Sequence, residues 1–133
     1  MKRTVIKILL FTGLWSTHII GFAQTNLTTL NKEIMGKVEN LRSLHDSAKS
    51  LSVVPLFKGV EGTTRSLQIK KDGLLPEHLT KTEALLICVN GEVAYEDEKG
   101  EKHLLRSEEF YHIMPNIKHW IKGVQDSQLL LIK

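Results

Sequence analysis

Hydrophobic positions along the chain follow two different periodicities, and the change falls near residue 50. Between residues 24 and 50, apolar residues recur at steps of three and four, which places them on one stripe of a helix. They are Leu27, Leu30, Ile34, Val38, Leu41 and Leu44. From Leu51 onward the pattern changes to short alternating runs separated by turn residues, which is typical of strands. The sequence therefore predicts a short N-terminal helix in an arm over residues 24–50, followed by an all-β domain over residues 51–133.

The β region predicts an antiparallel barrel or jelly roll, because about eight short strands follow one another with brief turns. The run Ala84–Val89 is apolar throughout, which predicts a strand buried on both faces. Asn90-Gly91 follows it directly, and Glu92–Glu96 resumes the alternation. An Asn-Gly pair between two strands predicts a tight hairpin with a type I′ turn. We also expect the strands to be connected in meander order.

Residues 1–23 have the three parts of a secretory signal peptide. Three basic residues and no acidic residue are followed by an apolar run, and Gly21 and Ala23 supply the small residues at its end. We predict cleavage after Ala23, so that the mature chain begins at Gln24 and is periplasmic or secreted. The alternative is an uncleaved anchor helix, but the apolar run is short for a bilayer span and contains polar residues.

Charge and cysteine content narrow the function classes. The formal net charge is +3, but the first 23 residues carry three bases, and the remainder holds 15 basic and 15 acidic residues. A nucleic-acid binder is therefore not favoured, because its affinity depends on neutralising phosphates. Cys88 is the single cysteine, so neither an internal disulfide nor a multi-cysteine metal cluster can form. We expect this thiol to be a small, buried, unreactive side chain.

Two stretches of the β region resemble the two conserved motifs of the cupin superfamily. The first is Gly73–Gly91, which contains His78 and ends in an apolar strand and a turn glycine. The second is Leu105–His119, in which a proline turn at Pro115 precedes a histidine. The resemblance covers about residues 52–133, and it implies a double-stranded β-helix, the cupin barrel.

The cupin metal site usually consists of three histidines and one glutamate on the inner face of the barrel. Counted without gaps, the first and third histidine positions fall on His78 and His119, and the second falls on Thr80. The glutamate position falls on Ala84, with Glu83 adjacent. Glu83 could enter the site only through a bulge, because a shift of one residue turns a strand side chain to the opposite face.

The resemblance therefore implies a divalent transition metal (iron, manganese, zinc, nickel or copper) held by His78, Glu83 and His119 if that bulge forms. Without it, two histidines form a weak and poorly selective site. The second motif departs from the family pattern as well. Glu108, Met114 and Asn116 stand where glycine, proline and glycine are common.

A metal-free pocket at the same place is the other interpretation. We expect His78, Thr80, His112 and His119 to line the barrel mouth, where imidazoles could hydrogen-bond a small acid or a sugar. Two further histidines, His45 in the linker and His103 on a segment that alternates outward, are expected to be solvated.

Three functions are compatible with these residues. The favoured one is an exported, homodimeric small-molecule-binding domain. The second is a metal-dependent enzyme of the dioxygenase or sugar isomerase/lyase type, which requires a carboxylate to converge with the two histidines. The third is a structural or interaction module whose barrel is plugged by apolar side chains.

Overall fold

The structure, a computed structural model, describes residues 35–133. The predicted signal peptide and the first part of the predicted helix lie outside the described residues. Within residues 35–133, the structure has no helix that is both long enough and apolar enough to cross a membrane.

Nine strands and one short 3-10 helix make up the described chain, and nearly all of its regular structure is β. The 3-10 helix covers Leu41–Leu44. The strands are β1 (Leu51–Lys58), β2 (Thr63–Ile69), β3 (Leu74–His78), β4 (Ala84–Asn90), β5 (Glu92–Asp97), β6 (Lys102–Arg106), β7 (Phe110–Ile113), β8 (His119–Gly123) and β9 (Ser127–Ile132).

The strands form two antiparallel sheets in jelly-roll order. The first sheet has the order β1-β2-β9-β4-β7 and the second has the order β3-β8-β5-β6. Four pairs are nested inside one another, namely β2 with β9, β3 with β8, β4 with β7 and β5 with β6. The barrel prediction is confirmed, but the meander order is wrong, since only two pairs of consecutive strands in the described chain are hydrogen-bonded neighbours.

The connection at Asn90-Gly91 also differs from the predicted hairpin. Strand β4 pairs with β7 and β9, whereas β5 pairs with β6 and β8, so the chain passes from one sheet to the other at Gly91. Gly91 has φ +96°, while Asn90 is not among the residues with positive φ. A type I′ turn, which requires positive φ at both central residues, is therefore absent at this point.

The core lies between the two sheets and is built from alternate residues of their strands. In β4, for example, Ala84, Leu86 and Cys88 are buried, whereas Leu85 and Ile87 on the other face are only half-buried. The prediction that this strand is buried on both faces is therefore wrong. Cys88 is fully buried, as expected, and desolvation raises the pKa of its thiol.

Residues 40–50, which we call the strap, run across the outer face of the first sheet. The predicted α-helix does not continue into them: Gly36 has φ +75°, and the chain then forms only the short 3-10 helix. The strap is anchored by His45, which is 9% exposed. Its Nδ1 lies 2.9 Å from Ser52 Oγ, and its Nε2 lies 2.8 Å from Ser66 Oγ. The expectation that His45 is solvated is therefore wrong, because the strap and the sheet bury it together.

The buried His45 should make folding stability depend on pH. Desolvation lowers the pKa of its imidazole below 6.5, so the unfolded chain takes up a proton at a higher pH than the folded one. Stability from this group is therefore fully present above pH 6.5, and it is lost as the pH falls toward the folded-state pKa. Urea unfolding of wild type at pH 7.5 and pH 5 should show this loss. His45→Gln should lose less stability between the two pH values, and an equal loss in both proteins would contradict the assignment.

Candidate functional site

His78 and His119 face each other at one end of the barrel, as the sequence predicted. They are paired residues on the neighbouring strands β3 and β8, and their ring centroids are 4.3 Å apart. A register irregularity between Leu75 and His78 brings the first histidine into line with the second. His119 is fully buried and His78 is half-buried, so the pair meets solvent on the His78 side.

Backbone carbonyls orient both imidazoles in the same way. His78 Nδ1 lies 2.8 Å from the carbonyl oxygen of Pro76, and His119 Nδ1 lies 3.0 Å from that of Ile117. Because a carbonyl only accepts, each Nδ1 carries the proton and donates it. In the neutral form of each imidazole, Nε2 then carries the lone pair and can accept a hydrogen bond or bind a metal ion.

Two polar atoms at this end of the barrel have no partner. His119 Nε2 and Thr80 Oγ1 are both buried, and neither makes a hydrogen bond within the described residues. Most buried polar side-chain atoms in proteins are paired. Thr80 lies two residues after His78, and its carbonyl accepts a hydrogen bond from the backbone N–H of Asn116 in the turn that leads to His119. Both orphaned atoms thus belong to positions that the sequence predicted for ligand binding.

The imidazole of His119 is kept neutral by its surroundings. Desolvation lowers its pKa below 6.5, and the neighbouring His78 acts in the same direction. The hydrogen bond to Ile117 and the nearby Asp97 oppose this shift without reversing it. A neutral His119 keeps its Nε2 lone pair down to mildly acidic pH.

A row of aromatic side chains extends from His119 into the barrel. Tyr95 stacks on His119 at 5.4 Å between centroids and contacts Tyr111 at 4.5 Å. The ring of His103 lies 4.7 Å from that of Tyr111. On β6, His103 alternates with the exposed Leu104, so its ring lies on the inner side and not on the outward side that the sequence indicated. Its pairing with Tyr95 on the neighbouring strand β5 places it on that side. Its side chain is nevertheless 40% exposed, with Nε2 3.3 Å from Glu101 Oε2, so the expected contact with solvent is partly retained.

The residues present do not fit a stable metal site. Ala84 occupies the carboxylate position and is buried, whereas Glu83 is exposed in the loop before β4. The β4–β7 pairing is regular from Ala84 to Ile87, so the bulge that would admit Glu83 is absent. Within residues 35–133, no group of three or more His, Cys, Asp or Glu side chains is placed to hold a metal ion. The predicted set of His78, Glu83 and His119 therefore does not converge.

Asp97 is the carboxylate nearest to the pair in the sheet register, since it lies opposite His119. Its Oδ1 accepts hydrogen bonds from the backbone N–H groups of Lys99 and Glu101, at 2.9 and 3.1 Å. The carboxylate thus closes the turn after β5, and it does not supply the missing ligand.

His112 does not line the barrel, contrary to the prediction. It is exposed on the outer face of β7, opposite Leu85, and its ring lies 5.9 Å from that of Phe110. Tyr111 and Ile113 occupy the inner face of this short strand instead. The prediction failed because alternation fixes which residues share a face but does not say which face is the inner one.

Two departures from the family pattern have a conformational explanation. Glu108 and Asn116 stand where glycine is common, and both have positive φ, at 74° and 61°. A left-handed conformation favours glycine, and asparagine tolerates it better than glutamate does. The turns of the second motif therefore keep their shape despite the changed residues.

Comparison with known proteins finds the same architecture in solved structures. A cupin superfamily protein from Desulfitobacterium hafniense superimposes with a TM-score of 0.65 at 13% identity, covering 74% of this chain and 90% of that one. A cupin-2 domain protein from Shewanella frigidimarina gives 0.61 at 15% identity, covering 75% and 97%. KdgF from a Halomonas species gives 0.58 at 14% identity, covering 66% and 81%.

Comparison of sequences does not detect this similarity, since no protein-family model and no curated protein matches the chain. The identities of 13–15% reach only the fold. The jelly-roll order and the similarity to these solved structures lead to one conclusion, that this chain has the cupin fold.

Proposed function

We propose that this protein is an exported binding domain that holds a small sugar or hydroxy acid at the mouth of a cupin barrel. The observation that carries the proposal is the buried, unpartnered Nε2 of His119 beside the half-buried His78. A ligand hydroxyl that donates to this nitrogen would relieve an unsatisfied buried acceptor, which otherwise costs about 1–3 kcal/mol.

The other groups at this end of the barrel suit the same ligand class. Thr80 Oγ1, which can donate or accept, is also buried without a partner in the described chain. Tyr111 is half-buried beside His103, and desolvation raises the pKa of its phenol, so this hydroxyl stays protonated as a donor. Acceptors and hydroxyl donors on the inner face of one barrel match a molecule with several hydroxyl groups or a carboxyl group.

The two alternatives have less support. The metal-dependent enzyme requires a carboxylate with the histidines, and Ala84 and the outward Glu83 do not provide one. The full burial of Tyr95 and His119 is the evidence for a structural module with a plugged barrel. A purely structural interior, however, would not leave His119 Nε2 and Thr80 Oγ1 without partners in the described chain.

We expect His119→Ala to abolish binding of neutral monosaccharides at the barrel mouth, because the variant removes the orphaned acceptor. A panel of neutral monosaccharides can be screened by saturation-transfer NMR against the whole mature protein. His112→Ala is the matched control, since it removes an exposed imidazole on the outer face. Binding by wild type and the control but not by His119→Ala supports the proposal. Equal signals from all three proteins, or none from wild type, would refute it.

Binding should also depend on pH in a direction set by His119. Its pKa is lowered, so the acceptor persists somewhat below pH 6.5 and is lost when Nε2 is protonated. We therefore expect the affinity to be constant at neutral pH and to fall only in acid. Affinity that rises on acidification would indicate recognition by an imidazolium instead.

Export and dimerisation belong to the same proposal. The signal-like residues 1–23 support export, and N-terminal sequencing of the exported protein should begin at Gln24. Exported material that begins at Met1 would contradict cleavage. Light scattering of the mature protein should give twice the chain mass if the domain is a homodimer, and a single chain mass would contradict dimerisation.

A further inference from the structure

A second polar site lies on the outside of the barrel, where a row of polar side chains crosses the first sheet. Ser52, Gln68, Gln128 and Asn90 are register partners on β1, β2, β9 and β4. Gln68 and Gln128 are each 6% exposed. The adjacent positions on the same face of β9 and β4 are apolar, Leu130 opposite Ile87. Asn90 is exposed and Ser52 is half-buried, so only the two glutamines in the middle of the row must find partners inside the protein.

The strap and strand β2 together satisfy only part of this row. The side-chain nitrogen of Gln128 donates to the carbonyl of Leu67 at 3.0 Å and to Ser66 Oγ at 2.8 Å, both on β2, and it lies 3.1 Å from His45 Nε2 of the strap. That of Gln68 donates to the carbonyl of Asp46 at 3.4 Å. Within residues 35–133, no hydrogen bond reaches the side-chain oxygen of either glutamine. In this part of the chain, both amide oxygens are therefore available as acceptors.

These glutamines line a cavity of about 290 Å³ between the strap and the sheet. Its wall also carries Arg42, Lys70, Asn90 and Asp126. Lys70 Nζ lies 3.5 Å from Asp126 Oδ2, so these two charges are paired. The guanidinium of Arg42, which comes from the strap, makes no ion pair within the described residues. Arg42 is also close enough to Asp126 to contribute to the lowered pKa of that carboxyl. The cavity wall thus carries two positive charges and one negative charge, together with amide side chains.

We infer that this strap cavity binds a small carboxylic acid that also carries a hydroxyl group. Arg42 offers its planar fork to the carboxylate, a pairing that is often bidentate. The free oxygens of Gln68 and Gln128 accept from the hydroxyl. The site is separate from the barrel mouth. It lies on the outer face of the first sheet, and neither His78 nor His119 lines it.

Binding can be tested with D-glycerate as the probe, glycerol as the uncharged control and inorganic phosphate as a second anion. The side-chain amide signals of Gln68, Asn90 and Gln128 in ¹⁵N spectra of the mature protein report on the cavity. We expect glycerate to shift these three signals with a millimolar dissociation constant. Glycerol, which lacks the carboxylate, should not shift them. Phosphate should bind more weakly than glycerate, because it has no alcohol group to donate to the glutamine oxygens.

Arg42→Ala should weaken glycerate binding by about 10-fold or more, since a charge-assisted pair is lost. Arg65→Ala removes an exposed arginine elsewhere on β2 and should leave the affinity unchanged. His119→Ala, which tests the barrel mouth, should also leave it unchanged, so that failure of one site is distinguishable from failure of the other. The inference is overturned if glycerate shifts no amide of the row, if glycerol acts equally, or if Arg42→Ala binds as wild type does.

Discussion

Thr80→His combined with Ala84→Glu should raise the affinity for Zn²⁺ or Mn²⁺ by several orders of magnitude. The wild-type pair has two imidazoles 4.3 Å apart, each with Nδ1 bound to a backbone carbonyl, but lacks, within the described residues, the anionic ligand and the third donor. Thr80→His would bring a third imidazole to a buried position whose hydroxyl has no partner there. Ala84→Glu would restore a carboxylate on the inner face of β4, where the register with Ile113 is regular.

Isothermal titration with each metal would measure the gain, after dialysis against a mild chelator. Thr80→His combined with Leu85→Glu is the matched control, because it adds the same groups but places the carboxylate on the outer face of β4. The control should bind little better than wild type. The metal should also raise the melting temperature of the double variant, since it binds only the folded chain. Wild-type protein that retains about one equivalent of metal after the same dialysis would contradict the two-ligand assignment.

The inner histidines could be predicted from the sequence, but the connections between the strands could not. His78 and His119 follow from motif spacing because each lies near a turn with clear signals, at Gly73 and Pro115. Strand β3, in contrast, contains Pro76 and exposed Leu74, so its alternation is poor and no pattern in the residues indicates a strand there. If β3 is not recognised, neither the partner of β8 nor the nested pairing of the jelly roll can be predicted.

The sequence also did not show which face of each strand points toward the core. His103 was expected on the outer face and His112 on the inner face, yet the structure turns His103 toward Tyr111 and exposes His112 beside Phe110. Period-two patterning assigns residues to two faces, and only tertiary packing decides which face meets the core. The burial of His45 was hidden for the same reason. Its partners Ser52, Ser66 and Gln128 come from three strands that are distant in sequence.

The Asn-Gly signal was correct about the backbone and wrong about the topology. It marks a glycine with positive φ between two strands, which is what the structure contains at Gly91. A hairpin and a passage between two sheets both require such a residue. The neighbouring strands decide between them, since Asn90 is paired with Gln128 of β9 instead of with β5.

Gly91→Ala should be among the most destabilising single substitutions in this domain, with a loss of roughly 2–6 kcal/mol. Its φ of +96° is strained for any residue with a Cβ. An added Cβ would also lie 2.5 Å from the carbonyl oxygen of Asp126 and in contact with Ser127 Oγ. That hydroxyl accepts a hydrogen bond from the backbone N–H of Glu92 at 3.0 Å, so a displaced Ser127 would loosen the start of β5.

Gly100→Ala isolates the backbone contribution, because Gly100 has a similar φ of +86° but no atom within 4 Å of an added Cβ. We expect this variant to lose only about 1–2 kcal/mol, the cost of the left-handed conformation by itself. Urea unfolding of both proteins at pH 7.5, above the range in which His45 titrates, measures the difference. A larger loss at Gly91 assigns the excess to the close approach of Asp126 and Ser127, where the chain passes between the sheets. Equal losses would mean that this approach relaxes without cost and that the passage tolerates a side chain.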